Sequence, residues 1–288
     1  MSSLFDFDAR PDRYAVMGNP VAHSLSPAIH AEFARQTGQR MVYTAIQVDE
    51  GGFEQAAGNF RAAGGKGLNV TVPFKRVAWV WVDRRSARAE RAGAVNTIRF
   101  GEDGTYGDNT DGAGLVRDIT VNLAEPIAGR RVLIAGAGGA VRGVLDPVLQ
   151  QRPRELVLAN RTVDSAIALA AQFTSTALPV TGGSFEALAG QEFDLVINGT
   201  AASLHGAELP LPPAILAPGA LCYDMMYAAE PTPFLRWAQA HGAARAADGL
   251  GMLVEQAAEA FLLWRGVRPE TAAVIGRMRA RLAAGRRA

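Results

Sequence analysis

The sequence contains almost no cysteine, and this scarcity limits the chemistry open to it. Cys222 is the one cysteine among 288 residues. A single thiol excludes an internal disulfide and a cysteine-based zinc site, and it fits the reducing conditions of the cytosol. We therefore predict a cytoplasmic protein without disulfides.

The sequence also lacks a long apolar run and a dominant charge. No apolar run approaches the length that spans a membrane, and the first residues are too polar for a signal peptide. With 29 basic and 28 acidic residues, the formal charge of +1 gives no reason to expect nucleic acid or an anionic membrane as a partner. Repeats and low-complexity segments are absent. We interpret the arginine-rich final residues, Arg277 to Ala288, as a solvated helix face rather than a binding tail.

The length and the apolar content indicate two domains. A chain of 288 residues exceeds a typical single domain, and its 49% apolar content is ample for sizeable cores. Short apolar runs typical of buried strands alternate with stretches typical of helices. We therefore expect an α/β fold.

A glycine-rich stretch, Arg131 to Arg142, predicts a nucleotide-binding turn. It reads R-V-L-I-A-G-A-G-G-A-V-R, and its run Val132 to Ala135 is typical of a strand buried in a parallel sheet. After this strand, backbone amides can approach a pyrophosphate at the positive end of the next helix; the residues concerned are Gly136, Ala137, Gly138, Gly139 and Ala140. Val141 replaces the third glycine of G-x-G-x-x-G, so the strand–turn–helix context carries the prediction. A βαβ unit that binds no phosphate is the alternative.

The end of the next predicted strand, Leu156 to Ala159, indicates which dinucleotide is bound. In NAD-binding sites this strand generally ends in an acidic residue that bonds the ribose 2′-hydroxyl. Asn160, Arg161 and Thr162 stand there instead, and Asn160 lies 24 residues after Gly136. An arginine can hold a 2′-phosphate through two parallel hydrogen bonds, so the stretch favours NADP over NAD. The alternative is an ordinary surface arginine.

Two serines precede a predicted helix near the start of the chain. A strand, Tyr14 to Met17, is followed by a break, and Pro27 stands where the first turn of a helix begins. On an extended backbone, Ser24 and Ser26 would present both hydroxyls on one side and could bond a carboxylate, with help from the helix dipole. From the local sequence it is equally open that Ser26 only caps the helix.

The segment Gly67 to Lys75 predicts a strand with one polar face and a lysine beyond its end. Asn69 and Thr71 alternate with apolar residues, and Pro73 stops the strand. Lys75 then follows a strand end, where α/β proteins collect functional residues. Taken alone, a lysine is more often a solvated surface residue.

The pattern is less clear in the next part of the chain. Val77 to Val82 is rich in β-branched and aromatic residues and favours a strand. Gly93 to Ile98 is typical of a strand that pairs with a short strand around Tyr106. Asp111 lies at the start of a predicted helix, Ala113 to Leu123, and the local sequence alone favours a capping role for its carboxylate.

Seven motifs of this sequence resemble those of the shikimate dehydrogenase family. They fall in the family's order from near residue 18 to residue 257, so the resemblance covers most of the chain. The motifs are G-N-P-V-A-H-S-L-S-P, N-V-T-V-P-F-K, G-A-V-N-T, G-D-N-T-D-G, G-A-G-G-A, N-R-T and D-G-L-G-M-L-V-E-Q-A. The resemblance implies an NADP-dependent oxidoreductase that interconverts 3-dehydroshikimate and shikimate, in the chorismate pathway of aromatic amino acid biosynthesis.

The resemblance also implies roles for the matching residues. Lys75 and Asp111 correspond to the family's catalytic pair, which handles the proton while the nicotinamide supplies the hydride, so no metal is required. Ser24 and Ser26 resemble the residues that bind the substrate carboxylate. The other matches to substrate-binding positions are Asn69, Thr71, Asn96, Tyr227 and Gln256. Beyond the two cofactor motifs above, the matches to cofactor-binding positions are Thr200, Met225 and Gly249. Ordinary packing is the alternative for Met225 and Tyr227.

The architecture implied by the resemblance is two α/β domains with the active site in the cleft between them. An N-terminal substrate-binding domain would comprise residues 1–112 plus 250–288, because a late helix returns the chain to it and brings Gln256 to the substrate. A doubly wound, Rossmann-type NADP-binding domain would comprise residues 113–249. The implied partner is the small-molecule substrate, without nucleic acid or membrane, and the chain would be a monomer or a homodimer.

Departures from the family pattern leave alternatives open. Some relatives carry a further basic residue where this chain has Val163 to Ser165, so the preference for NADP is expected to be weaker here. Gly199 and Ala201 stand where relatives often have alanine and serine. One alternative is a paralogue that acts on quinate or uses NAD. Another is a non-catalytic NADP-binding regulator, although retention of the catalytic pair argues against a regulator.

Overall fold

A computed structural model of the chain shows an α/β protein with two sheets, as predicted from the sequence. The structure describes residues 10–173, 178–202 and 206–285. The polar first residues 1–9 lie outside the described residues, as do residues 286–288 at the end of the predicted solvated helix face Arg277 to Ala288. None of the described helices has the length and apolar character needed to cross a membrane.

The first sheet is mixed. Its strands are β1 (Asp12–Gly18), β2 (Met41–Gln47), β3 (Gly65–Val70), β4 (Arg84–Arg85), β5 (Thr97–Gly101) and β6 (Gly104–Asp108). The spatial order is β2-β1-β3-β5-β6-β4. β1 pairs in parallel with β2 and β3, whereas β5 and β6 form an antiparallel hairpin beside β3. The predicted pairing with the strand around Tyr106 is therefore confirmed.

The helices of this part of the chain pack against the first sheet. They are α1 (Ser26–Thr37), α2 (Phe53–Ala62), α3 (Lys75–Trp81) and α4 (Ala87–Ala92). Phe53 and Phe60 of α2 join Leu68 and Ile98 of the sheet in one buried apolar cluster. Burial of such side chains contributes roughly 1.5–3 kcal/mol each. β3, the strand that precedes Lys75, is therefore stabilised by packing of its apolar side chains.

The second sheet is entirely parallel. Its strands are β7 (Arg131–Ala135), β8 (Glu155–Ala159), β9 (Val180–Gly183), β10 (Phe193–Asn198), β11 (Leu216–Asp224) and β12 (Arg245–Asp248). The spatial order β12-β11-β10-β7-β8-β9 is the order of a dinucleotide-binding sheet, with the reversal between β7 and β10. Ligands bind such sheets outside the carboxyl ends of the strands at this reversal point. The predicted Rossmann-type fold is confirmed.

The remaining helices flank the second sheet and cross between the two sheets. They are α5 (Asp111–Arg117) with a π-helical continuation (Asp118–Asn122), α6 (Gly139–Gln150), α7 (Val163–Ala171), α8 (Pro233–Ala240), α9 (Leu250–Arg265) and α10 (Ala272–Ala284), together with a short 3₁₀ helix (Glu186–Leu188). Leu250 and Phe261 of α9 pack against Ile29 and Phe33 of α1. The chain thus returns to the first sheet after completing the second.

The predicted strand at Val77 to Val82 is wrong, because this segment belongs to α3 and its end. Phe74, Ala78 and Val82 are 3%, 0% and 2% exposed, a spacing of four residues that is typical of a buried helix face. Val80 points to solvent and is 66% exposed. Packing of this face on the sheet therefore overrides the strand preference of the individual residues.

Two predicted boundaries also differ from the structure. The strand expected from Gly93 begins at Thr97, since Gly93 adopts a left-handed conformation (φ 60°) that ends α4. The helix expected over Ala113 to Leu123 begins at Asp111 and becomes π-helical after Arg117.

Candidate active site

Two charged side chains from the starts of two helices meet at the centre of the candidate site. Lys75 is the first residue of α3, and Asp111 is the first residue of α5. Lys75 Nζ donates a hydrogen bond to Asp111 Oδ2 at 2.5 Å. The two side chains keep 23% and 11% of their surface exposed, so a small molecule can still reach the pair. Lys75 is therefore not a freely solvated surface lysine.

Hydrogen bonds hold both the carboxylate and the backbone amide of Asp111. Asn96 Nδ2 donates to Asp111 Oδ1 at 2.7 Å, and the Asp111 amide donates to Asn109 Oδ1 at 3.2 Å. Thr110 is the N-cap of α5 and Asp111 is the first helical residue. The alternative that Asp111 only caps the helix is therefore wrong.

Buried amides and hydroxyls extend this network away from the charged pair. Tyr43 Oη donates to Asn69 Oδ1 at 2.7 Å, and Asn69 Nδ2 donates to Thr97 Oγ1 at 3.0 Å. Thr97 Oγ1 donates to Asn96 Oδ1 at 2.9 Å. Gln256 arrives on α9, and its Oε1 lies 3.5 Å from Asn96 Nδ2. The structure thus brings three predicted substrate-binding residues into one polar group.

The two serines lie beside this network, but not with the backbone that the sequence suggested. Leu25 has a helical conformation (φ −79°, ψ −11°) and is itself the N-cap, so the expected extended backbone is wrong at Leu25, and so is the alternative that Ser26 only caps the helix. Ser24 Oγ accepts a hydrogen bond from the Ser26 amide at 3.2 Å. Burial raises the pKa of Tyr43 well above its usual value, and a hydrogen bond with Ser26 opposes that rise. Ser26 therefore contacts the same network as Asn69.

Thr71 follows β3 and Tyr227 follows β11, and contacts outside the polar group hold each of them in place. The Thr71 amide donates to Met17 O at 2.9 Å, and its methyl group fills the space that Gly18 leaves by having no Cβ. Tyr227 packs on the apolar cluster shared by α1 and α9. Burial raises the pKa of its hydroxyl, and the nearby charge of Asp248 adds to the rise.

The glycine turn after β7 fits a dinucleotide. Gly136 adopts φ 116°, a conformation that favours glycine, and its amide donates to Ala159 O at 2.7 Å. A Cβ on Gly138 or Gly139 would meet no atom within 4 Å, so space beside this turn is open. Gly138 is the N-cap of α6 and offers no side chain to its first amides. These amides are therefore available to a pyrophosphate.

The end of β8 presents the residues expected to meet a 2′-phosphate. Asn160 Nδ2 donates to Thr162 O at 3.0 Å, which folds the chain back toward α7. Arg161 lies exposed at the tip of this bend. Asp164 is exposed in the first turn of α7, three residues after Arg161, so the segment after β8 also carries a negative charge.

Thr200, Met225 and Gly249 lie at the carboxyl ends of β10, β11 and β12. Thr200 Oγ1 donates to Asn198 Oδ1 at 2.8 Å, and the Met225 amide donates to Asn198 O at 2.9 Å. A Cβ on Gly249 would collide with the Met225 carbonyl group, so only glycine permits this approach. The three residues share the strand-end edge with the glycine turn.

Three residues that complete the polar network, Thr97, Thr110 and Tyr43, are not among the predicted site residues. Thr97 and Thr110 lie inside the motifs G-A-V-N-T and G-D-N-T-D-G, so those motifs could have indicated them. No motif could have indicated Tyr43, because its partner Asn69 lies 26 positions later in the sequence, on a different strand. Among the residues that the structure describes, no group of three or more His, Cys, Asp or Glu side chains could hold a metal ion.

Three family models match the chain in order along its length. The descriptions are shikimate dehydrogenase substrate binding domain for residues 16–98, shikimate / quinate 5-dehydrogenase for residues 118–206 and shikimate 5′-dehydrogenase C-terminal domain for residues 249–279. Together the matches span strands of both sheets and the late helix α9.

Individual proteins are similar over nearly the whole chain. The chain is 61% identical over 268 residues to the shikimate dehydrogenase (NADP(+)) of Alkalilimnicola ehrlichii, covering 93% of this chain and 98% of the relative. It is 60% identical over 276 residues to that of Aromatoleum aromaticum, covering 95% and 99%. Among solved structures, the shikimate 5-dehydrogenase of Thermus thermophilus in complex with NADP(H) and shikimate matches with a TM-score of 0.83 and 33% identity, covering 93% and 99% of the two chains.

Proposed function

The chain belongs to the shikimate dehydrogenase family, and from this premise we propose which of its residues perform the reaction. The protein is an NADP-dependent oxidoreductase that reversibly reduces 3-dehydroshikimate to shikimate. The observation that carries the assignment of roles is the Lys75–Asp111 pair, with Nζ and Oδ2 2.5 Å apart inside a network of polar groups.

Lys75 handles the proton in this proposal. Bound NADPH supplies a hydride to the carbonyl carbon, and the carbonyl oxygen then needs a proton. The Lys75 ammonium carries three N–H donors, and one of them is used by Asp111. A second donor can face the substrate oxygen, give up its proton during reduction and take it back during oxidation.

Asp111 orients the lysine and balances its charge. Its Oδ2 accepts from Lys75 while its Oδ1 accepts from Asn96 Nδ2, so the carboxylate cannot turn without breaking a bond. This fixed acceptor keeps Lys75 Nζ at one place in the cleft. Correct positioning of a proton donor is a large part of the effect of general acid–base catalysis.

The polar residues around the pair bind the substrate in this proposal. Ser24 and Ser26 bond its carboxylate at the start of α1, where the helix dipole favours an anion. The residues proposed to meet the ring hydroxyls are Asn69, Thr71, Asn96, Tyr227 and Gln256. Asn69 uses its amide hydrogens on protein acceptors and accepts from Tyr43 on Oδ1. Its remaining Oδ1 lone pair would therefore accept from a substrate hydroxyl.

The cofactor residues follow the strand-end edge of the second sheet. We propose that the turn Gly136 to Ala140 holds the pyrophosphate and that Asn160 to Thr162 hold the 2′-phosphate. Thr200, Met225 and Gly249 would then border the ribose and the nicotinamide. The open space beside Gly138 and Gly139 supports this placement.

We also propose the division of the chain into domains. A substrate-binding domain of residues 1–112 plus 250–288 and an NADP-binding domain of residues 113–249 are supported by the two separate sheets and by the packing of α9 on α1. We propose a cytoplasmic location, since the one thiol, Cys222, is buried and a reducing compartment suits it.

Substitution of Lys75 tests the proposed mechanism, and the chain offers a matched control. The sequence contains only two lysines, Lys66 and Lys75. We expect Lys75→Ala to lower kcat by at least about 10²-fold, because the proton donor is lost. The dissociation constant of NADPH should change little, since the lysine lies away from the glycine turn. Lys66→Ala, at an exposed position on β3, should keep wild-type kinetics.

The outcomes separate the proposed mechanism from its alternatives. Near-normal turnover of Lys75→Ala would remove the lysine from proton transfer. Wild-type protein that binds NADPH but turns over neither shikimate nor quinate would point to the regulator instead. Comparable wild-type rates on quinate, or with NAD, would place the chain with the broader paralogues.

A further inference from the structure

Two departures of this sequence lie against each other in the structure, one from the general nucleotide-binding motif and one from the family pattern. Val141 replaces the third glycine of the nucleotide-binding motif and lies fully buried in the first turn of α6. Gly199 follows β10, at the reversal point of the second sheet. A Cβ built on Gly199 would lie 2.5 Å from Val141 Cγ2, closer than real Cβ atoms come to a neighbour. The valine side chain therefore occupies the space that any larger residue at position 199 would need.

Neither partner of this contact can move aside easily. Valine is branched at Cβ and has one strongly preferred rotamer in a helix. Val141 Cγ2 also lies 3.2 Å from the position of a Cβ on Gly136, so the valine fills the gap between the two turns. The Gly199 amide donates to Ala135 O at 2.8 Å, which holds its turn on the sheet.

The same turn also holds a predicted cofactor residue. Met225 Sδ lies 3.2 Å from the position of a Cβ on Gly199. The Met225 amide is bonded to Asn198 O at 2.9 Å. A displacement of the turn around Gly199 would therefore displace Met225 as well.

We propose that Val141 is a positioning residue, which acts through Gly199 to set the place of the Asn198–Thr200 turn and of Met225 beside the nicotinamide. This inference rests on the proposed function, because it takes these residues to border the cofactor. The two departures are then one coupled adaptation. The bulk missing at position 199 is supplied by the side chain at position 141.

Four proteins test the coupling: wild type, Gly199→Ala, Val141→Ala and the double variant. We expect Gly199→Ala to raise the dissociation constant of NADPH about tenfold, because a methyl group forced against the valine moves the turn. In the double variant, alanine at position 141 lacks the valine methyl groups that would collide with the new methyl group at position 199. The dissociation constant of NADPH should therefore stay within about threefold of the wild-type value. Binding is measured by isothermal titration calorimetry, which does not depend on turnover.

A second readout distinguishes positioning of the nicotinamide from a general loss of stability. The primary isotope effect on kcat, measured with shikimate deuterated at the carbon that loses its hydride, should rise in Gly199→Ala and return in the double variant. Thermal unfolding is recorded for all four proteins. Gly58→Ala in α2 is the control for an added methyl group, since its Cβ would meet no atom within 4 Å.

The pattern among the variants decides the proposal. Wild-type NADPH binding and a wild-type isotope effect in Gly199→Ala would overturn it, as would a double variant that is as impaired as Gly199→Ala. If Gly199→Ala does not fold, a double variant that folds and binds NADPH supports the coupling, and one that also fails to fold overturns it. Failure of the proposed function would show instead as a wild-type protein that does not bind NADPH or does not oxidise shikimate.

Discussion

Lys75 and Asp111 acquire their proposed roles from the residues that surround them. An exposed lysine paired with an exposed carboxylate contributes little, because water competes for both charges. Here Asn96 holds the Asp111 carboxylate, the Asn109 side chain holds the Asp111 backbone amide, and the carboxylate holds the lysine. The remaining donors of the lysine therefore point in a defined direction, as proton transfer to one substrate atom requires.

Arg161 is the residue on which we propose that the choice between NADP and NAD depends. We expect Arg161→Ala to weaken NADP by about tenfold to 100-fold, since a charge-assisted hydrogen bond contributes roughly 1.5–3 kcal/mol. Binding of NAD should change little, because NAD has no 2′-phosphate. Binding constants for both cofactors, measured by calorimetry, check this expectation.

The control for Arg161 is an arginine at the opposite end of the same strand. Arg154 is exposed and precedes β8, whereas Arg161 follows its end. Arg154→Ala should leave both cofactors unaffected. Equal losses of NADP and NAD in Arg161→Ala would show that the guanidinium does not meet the 2′-phosphate.

The sequence predicted which residues form the site better than it predicted their backbone conformations. The motifs gave Lys75 and Asp111 as a pair, and the structure places them 2.5 Å apart. The local sequence alone favoured a surface lysine and a capping aspartate, because the contact between them joins residues 36 positions apart. For the two serines the predicted extended backbone was wrong, because Leu25 between them is helical.

Helix α6 links the nucleotide site to the loop that carries Asp111. A Cβ on Gly112 would collide with the ring of Pro147 in α6 and would lie 2.7 Å from Gly143 O. Pro147 has no N–H, so it leaves the carbonyl of Gly143, four residues earlier, without its usual helical donor. A Cβ on Gly143 would lie 3.2 Å from Asn109 Nδ2. The helix that begins at the proposed pyrophosphate-binding turn is thus packed directly on Gly112 and Asn109, which lie one residue after and two residues before Asp111.

This contact predicts the effect of an added methyl group. We expect Gly112→Ala to separate α5 from α6, to move Asp111 away from its place beside Lys75 and to lower kcat by about tenfold or more. The dissociation constant of NADPH should change less, since the amides of the glycine turn remain. Steady-state kinetics and calorimetry measure the two effects.

A helical glycine elsewhere provides the comparison for Gly112. A Cβ on Gly276 of α10 would meet no atom within 4 Å, so Gly276→Ala should keep wild-type kcat. Wild-type kcat in Gly112→Ala would mean that α6 does not position the carboxylate.

Elements with strong periodicity were predictable, and short or tightly packed ones were not. β7 and β8 are apolar runs with glycine or polar residues after them, and the structure confirms both. The residues of α3 prefer strands, yet its spacing of buried residues is helical, so a contact with the sheet decided its form. β12 has the sequence R-A-A-D, which shows no strand pattern and pairs only because β11 lies beside it.

At the scale of the whole molecule, α5 and α9 join the two sheets and contact each other. A Cβ on Gly114 of α5 would lie 2.7 Å from the Gln256 amide of α9. Tyr223, at the end of β11, donates to Asp118 Oδ2 at 2.6 Å where the helix has become π-helical. Periodicity could predict the helices but not this crossing. Only the family resemblance indicated that α9 returns to the first sheet.

His30 couples the stability of the whole chain to pH. It is fully buried in α1 and stacks on Tyr43 with ring centroids 4.1 Å apart. Burial lowers its pKa from 6.5 to about 3, and a contact with Asn69 opposes the shift. The unfolded chain therefore takes up this proton at a higher pH than the folded chain does. The stability associated with the neutral ring is complete above pH 6.5 and is lost as the pH falls from 6.5 toward 3.

Replacement of His30 by an apolar ring should remove this dependence. Between pH 7.5 and pH 5, protonation of His30 in the unfolded chain costs wild type about 2 kcal/mol of unfolding free energy, whereas His30→Phe has no such proton to bind. Urea unfolding of both proteins at the two pH values measures the loss of unfolding free energy, which should be about 2 kcal/mol larger in wild type than in His30→Phe. His23→Phe, at an exposed position, should show the wild-type loss. Equal losses in wild type and His30→Phe would mean that His30 binds its proton equally well in the folded and unfolded chains.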